Sequence, residues 1–156
     1  MPDAERSGYR GYIVSRPVRG TAFPQRVQNL VVRDFARRKN LGFKLSVTEY
    51  AMPNCFMMLE QLLGELDALE GIILFSAFTL PADAARRARI LARVLERGAV
   101  LYAALEDLTV RTSGDAAELD DLIAIAATLP ATPFGGRYEK SDEPLSFTPR
   151  TPIFEM

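Results

Sequence analysis

Apolar positions along the chain fall into two alternating rhythms. Tyr9 to Ser15 (Tyr-Arg-Gly-Tyr-Ile-Val-Ser) predicts a strand entering the core. From Pro24, the apolar positions Val27, Leu30, Val31 and Phe35 recur at helical spacing, with Arg26, Arg33, Arg37 and Arg38 on the rest of the surface. Gly42 stops that helix, and Phe43 to Tyr50, rich in β-branched and aromatic residues, predicts a second strand. Pro53-Asn54 opens a second helix, with Asn54 placed to cap it and Phe56, Leu59, Leu62, Leu63 and Leu66 forming its apolar stripe. Gly71 to Ala77 is apolar without alternation, the pattern of a strand buried on both faces. Asp83 caps a third helix carrying Ile90, Leu91, Val94 and Leu95 and ending at Gly98. Ala99 to Leu105 is a fourth strand, and Asp115 to Leu129 a fourth helix.

Strand and helix alternating four times predict an α/β fold, a three-layer Rossmann-like sandwich whose parallel strands are joined by right-handed crossovers. Residues 1–130 form this domain. Residues 131–156, broken by Pro133, Pro144, Pro149, Pro152 and Gly135-Gly136, are expected to be an irregular tail packed on the domain or on a neighbouring subunit.

Composition narrows the chemistry. The 156 residues suit one domain, and the net charge of −1 gives no electrostatic footprint for nucleic acid. There is no histidine and a single cysteine, Cys55, which excludes a Ser-His-Asp triad, imidazole or Cys-rich zinc sites and internal disulfides. No dinucleotide or P-loop fingerprint occurs, and neither cofactor nor metal is expected. The polar N-terminus, the lack of a long apolar run and the lone cysteine lead to the expectation of a cytoplasmic protein.

Ligands of open parallel sheets bind beyond the carboxyl ends of the strands. That rule gathers Ser15, Arg16 and Arg19 after the first strand, with Gln25, Gln28 and Asn29 on the next helix. Glu49, Tyr50 and Asn54 follow the second strand and Ser76 the third. The expected roles are anion anchoring by Arg16 and Arg19 and orientation by Gln25, Gln28 and Asn29. Glu49 is the candidate acid or base, and Tyr50, Asn54 and Ser76 are polar contacts. Ser15 is a contact or a nucleophile, although no histidine exists to activate it.

Residues Gly11 to about Val110 resemble the catalytic domain of serine recombinases, the resolvases and invertases. The likeness rests on a first strand ending in Ser15, a helix with Gln25 and Gln28, Thr48-Glu49, Met58-Leu-Glu-Gln-Leu-Leu63 and Gly71-Ile-Ile-Leu-Phe-Ser76. It implies a four-stranded parallel sheet of order 2-1-3-4 and puts Ser15 where that family has its nucleophile. The family's phosphate-holding arginines are absent: Ile13 stands two residues before Ser15, and Phe78-Thr-Leu-Pro-Ala-Asp83 lacks arginine. The chain is also similar to a small family whose genes occur sporadically in carbohydrate and natural-product clusters. That likeness lies in Gly11-Tyr-Ile-Val-Ser-Arg-Pro17, Pro24-Gln-Arg-Val-Gln-Asn-Leu30, Thr48-Glu-Tyr-Ala-Met-Pro53 and Met57-Met-Leu-Glu-Gln61. Together these lead to the expectation of a biosynthetic protein, an enzyme of open reaction type. It would bind a small anionic substrate, have no nucleic-acid or membrane partner, and form a homodimer. The alternative is a non-catalytic scaffold or partner protein on a recombinase-like fold.

Overall fold

The computed structural model describes residues 5–129. In chain order these form β1 (Tyr9–Val14), α1 (Gln25–Arg38), β2 (Phe43–Glu49), α2 (Met57–Gly64), β3 (Gly71–Leu74), a 3-10 turn (Ala77–Thr79), α3 (Ala84–Glu96), β4 (Val100–Ala103), β5 (Leu108–Val110) and α4 (Ser113–Ala127). The tail expected at 131–156 lies outside the described residues.

The strands make one sheet of order β2-β1-β3-β4-β5. All neighbours are parallel except β4 and β5, which pair antiparallel through Leu101–Val110, Tyr102–Thr109 and Ala103–Leu108. The expected four-stranded parallel sheet is therefore corrected to five strands, the last one antiparallel. β5 has only three residues, fewer than a run needs for its alternation to register. Asp107, at φ 55°, makes the tight turn that folds it back on β4.

Crossovers in such a sheet are right-handed. The step from β1 to β2 runs one way and the steps to β3 and β4 the other, so α1 lies on one face and α2 and α3 on the opposite one. The contacts agree: α1 packs on β1, β2 and β3, whereas α2 meets α3, and α3 meets β4 and α4. Ile72, Ile73, Leu74, Leu101, Leu59, Leu62, Ile90 and Phe35 are fully buried between these layers. Each contributes about 1.5–3 kcal/mol of apolar burial. On the α1 side Tyr102 takes the edges of both Tyr9 and Phe35, at centroid distances of 5.6 and 5.4 Å.

Gly71, paired with both Tyr9 and Val100, leaves no space for a β-carbon, which would strike the Val100 carbonyl and the Tyr9 ring. Between β1 and β2 the register slips after Arg10–Lys44 and resumes at Tyr12–Val47. The extra residue in β2 is a bulge.

Candidate functional site

The carboxyl ends of β1, β2 and β3 open into the loops that carry most of the expected site. β1 needs help at its last residue, because its pairing with β3 ends at Tyr12–Leu74. Gln28, fully buried on α1, supplies it. Its Nε2 donates to the Val14 carbonyl at 2.7 Å and the Phe23 carbonyl at 2.9 Å, and its Oε1 accepts the Val14 N–H at 2.9 Å. Ser15 follows, exposed; its hydroxyl donates to the Glu49 carbonyl at 3.0 Å and accepts from Gln25 Nε2 at 3.1 Å.

Glu49 is 1% exposed and is the most heavily bonded side chain of the region. Oε1 accepts the Tyr12 hydroxyl at 2.8 Å and the Leu59 N–H at 3.2 Å. Oε2 accepts the N–H groups of Tyr50 at 3.1 Å and Met58 at 3.0 Å, with the Cys55 thiol at 3.7 Å. Met58 and Leu59 are the second and third residues of α2, whose N-cap position is held by Phe56 with no capping side chain. A carboxylate from β2 therefore does the work that a side chain at the helix start ordinarily does, with its charge against the positive end of the helix. Burial pushes the Glu49 carboxyl up. The bonds from Met58, Tyr12, Leu59 and Tyr50 outweigh it and hold the group below the usual carboxylate range. Burial, and then the bond to Glu49 and its charge, push the Tyr12 phenol well above its ordinary value.

The expectation that Asn54 caps α2 is corrected by the same geometry. The helix starts three residues later, and Asn54 is an exposed left-handed turn residue at φ 57°. Tyr50 is half exposed. Arg16 turns inward: it donates to the Cys55 carbonyl at 3.2 Å and the Thr79 carbonyl at 3.0 Å while stacking on the Phe56 ring at 4.7 Å. Arg86 of α3 stacks on the same ring at 4.7 Å. Arg19, in a left-handed turn at φ 50°, lies 4.8 Å over Phe78. Ser76 is buried; its hydroxyl donates to Glu106 at 2.6 Å and accepts the Phe78 N–H at 3.1 Å, while Glu106 also takes the Ala77 N–H at 2.8 Å.

The fold thus brings Ser15, Gln25, Arg16 and Glu49 to one rim. It sends Asn29 elsewhere, into a groove with Arg33, Phe43 and Lys44. Arg19 lines a separate apolar slot of about 190 Å³ with Phe78, Leu80 and Ile123. Tyr12, Phe56 and Arg86 belong to the rim and escaped the sequence reading. Tyr12 sits inside a strand and Phe56 inside an apolar stripe, so neither carries a polar signal of its own. On α3, Arg87 is buried and pairs with Asp120 at 2.6 Å, donating also to the Pro81 and Ala82 carbonyls. Among the described residues no three His, Cys, Asp or Glu side chains are placed to hold a metal, and no helix is long and apolar enough to cross a membrane.

No protein-family model matches the chain, and no curated protein matches it significantly. Solved structures do. The N-terminal catalytic domain of TP901-1 integrase superposes with a TM-score of 0.53 at 12% identity, over 76% of this chain and 94% of that domain. A resolvase family site-specific recombinase from Streptococcus pneumoniae superposes with a TM-score of 0.57 at 11% identity, over 76% of this chain and 88% of that one. The scaffold is resolvase-like. The expectation of a carbohydrate or natural-product biosynthetic protein, with a small-molecule substrate and no nucleic-acid partner, is overturned by these two structures, an integrase catalytic domain and a site-specific recombinase.

Proposed function

We propose that the chain is a binding module on a recombinase fold, in which the rim around Ser15 is structural and no DNA strand is cut. The observation that carries this reading is the state of Arg16 and Glu49. Phosphoryl transfer relies on guanidinium and other donors aimed at the phosphate, and losing one such donor costs about 10²–10³ in rate. Here the Arg16 guanidinium is taken up by two backbone carbonyls and a ring face. The Glu49 carboxylate is taken up by α2 and Tyr12. Phe78, Thr79, Leu80 and Pro81, which follow β3, contribute no cation. Glu49 is then a pin between β2 and α2 rather than an acid or base.

A second reading, strand transfer through Ser15, is favoured by its exposed hydroxyl beside Gln25 and by the recombinase neighbours. One experiment decides. Purified protein is incubated with supercoiled plasmid and with labelled duplex oligonucleotides, quenched in denaturant, and scored for nicking and for DNA-linked protein. The expected result is no adduct and identical traces for wild type and Ser15→Ala. A covalent adduct lost in Ser15→Ala would overturn the binding-module reading and establish strand transfer.

A further inference from the structure

We propose that the trough between α1 and the outer edge of β2 is the docking site for an acidic segment of a partner protein that also carries aliphatic side chains. The proposal rests on the binding-module reading and assigns that module's partner a chemistry. β2 is an edge strand, so among the described residues nothing pairs with its outer side. The trough beside it comprises two cavities of about 550 and 540 Å³ that share Arg33 and Phe43. Each is in the range of about 300–1,000 Å³ that specific ligand sites occupy.

Two properties of the lining specify the occupant. Leu45 and Leu30, at 80% and 68%, are the most exposed large apolar residues of the described chain and flank the trough on its two sides. Exposed aliphatics along one trough, one in each of its cavities, call for an aliphatic partner. Arg33 and Lys44 are exposed and, among the described residues, form no ion pair, whereas the acid beside them, Asp34, is already bound by Arg37 at 2.7 Å and Arg38 at 2.9 Å. The surplus charge is positive, so the complementary segment is acidic.

The bulge decides how the segment lies. It interrupts the regular edge, and the Leu45 carbonyl is already held by Arg10 Nε at 3.0 Å. A bulge and an edge lysine are devices that discourage indiscriminate strand pairing. The segment therefore lies along the trough with its side chains on α1 and β2, rather than extending the ladder. Two exposed leucines argue against a nucleic-acid backbone at this place.

The test uses the full chain and fluorescein-labelled octapeptides by anisotropy. The probes are (Glu-Val)4, (Lys-Val)4 and (Glu-Ser)4. (Glu-Val)4 is expected to bind at least about tenfold better than either control and to weaken with salt. Arg33→Glu combined with Lys44→Glu, and separately Leu45→Glu, should each reduce that binding by about tenfold or more with an unchanged circular dichroism spectrum. Ser15→Ala should not alter it. Equal affinity for the three peptides, or no binding of (Glu-Val)4 at millimolar concentration, overturns the proposal. So does a duplex oligonucleotide that binds in a manner lost on reversing Arg33 and Lys44. The adduct experiment reads Ser15 at the end of β1 and this one reads the trough beside the start of β2, so failure of either is recognisable by itself.

Discussion

Replacing Glu49 by glutamine separates a structural pin from an acid or base, and the structure sets the size of the effect. Suppose the amide oxygen keeps the place of Oε2, with its bonds from Tyr50 and Met58. The NH₂ then meets the Tyr12 hydroxyl and the Leu59 N–H. Tyr12 can turn its hydroxyl to accept, but the Leu59 N–H cannot, and a buried donor left alone costs about 1–3 kcal/mol. Removing a negative charge from the first turn of α2 costs a further ~0.3–1 kcal/mol. The sum is about 1–4 kcal/mol, and at about 2–4 °C per kcal/mol the melting temperature should fall by roughly 3–16 °C.

The pH dependence adds an independent check. The folded carboxyl is held below its usual range, so ionisation favours the native state. Its contribution is complete above the unfolded value, about pH 4.3, and is lost as pH falls through the folded value. The gap between wild type and Glu49→Gln should therefore be full at neutral pH and close in acid. Calorimetric melting from pH 7 down to pH 3 measures it. A variant melting within 2 °C of wild type at pH 7 would refute this account, as would a gap that does not narrow in acid.

Gln28→Leu should cost about 2–4 kcal/mol in urea unfolding, because three bonds go and both polar groups of Val14 are left buried without that partner. Gly71→Ala drives a methyl into the Val100 carbonyl and should destabilise by about 3 kcal/mol or more, read as lost soluble yield and a lowered melting point. Arg87→Met removes the donor from the Pro81 and Ala82 carbonyls while its partner Asp120 stays partly in water. A loss of about 1–3 kcal/mol is expected, and an unchanged urea midpoint would show the pair to be dispensable.

The long elements were legible because their periodicity is strong. The stripe of α3 and the continuous apolar run of β3 could hardly form anything else beside one another. β5 was not legible, since three residues between two turns carry no period. The start of α2 was misplaced for a different reason: its cap comes from Glu49, a tertiary neighbour, whereas a reading of consecutive residues finds the nearest polar one, Asn54. Candidate site residues were collected from the carboxyl ends of the strands, but whether a side chain there is free or already bonded depends on its neighbours across the fold. Arg16 illustrates it: the sequence reads as a loop cation, and its carbonyl acceptors lie 39 and 63 residues away. Asn29 illustrates the converse, since one helical step from Gln28 turns it to another side of α1.

Gln28 completes the end of β1 from a position only fourteen residues further along the chain. A closure that short costs little loop entropy. Strand, loop and helix from Tyr9 to Arg38 are thereby joined in a local ring, and Ser15, bonded to Gln25, is held within it. For the same reason the loop after β1 cannot swing open unless α1 slides or unwinds. The amide proton of Val14 should then exchange with solvent as slowly as those in the middle of the helix.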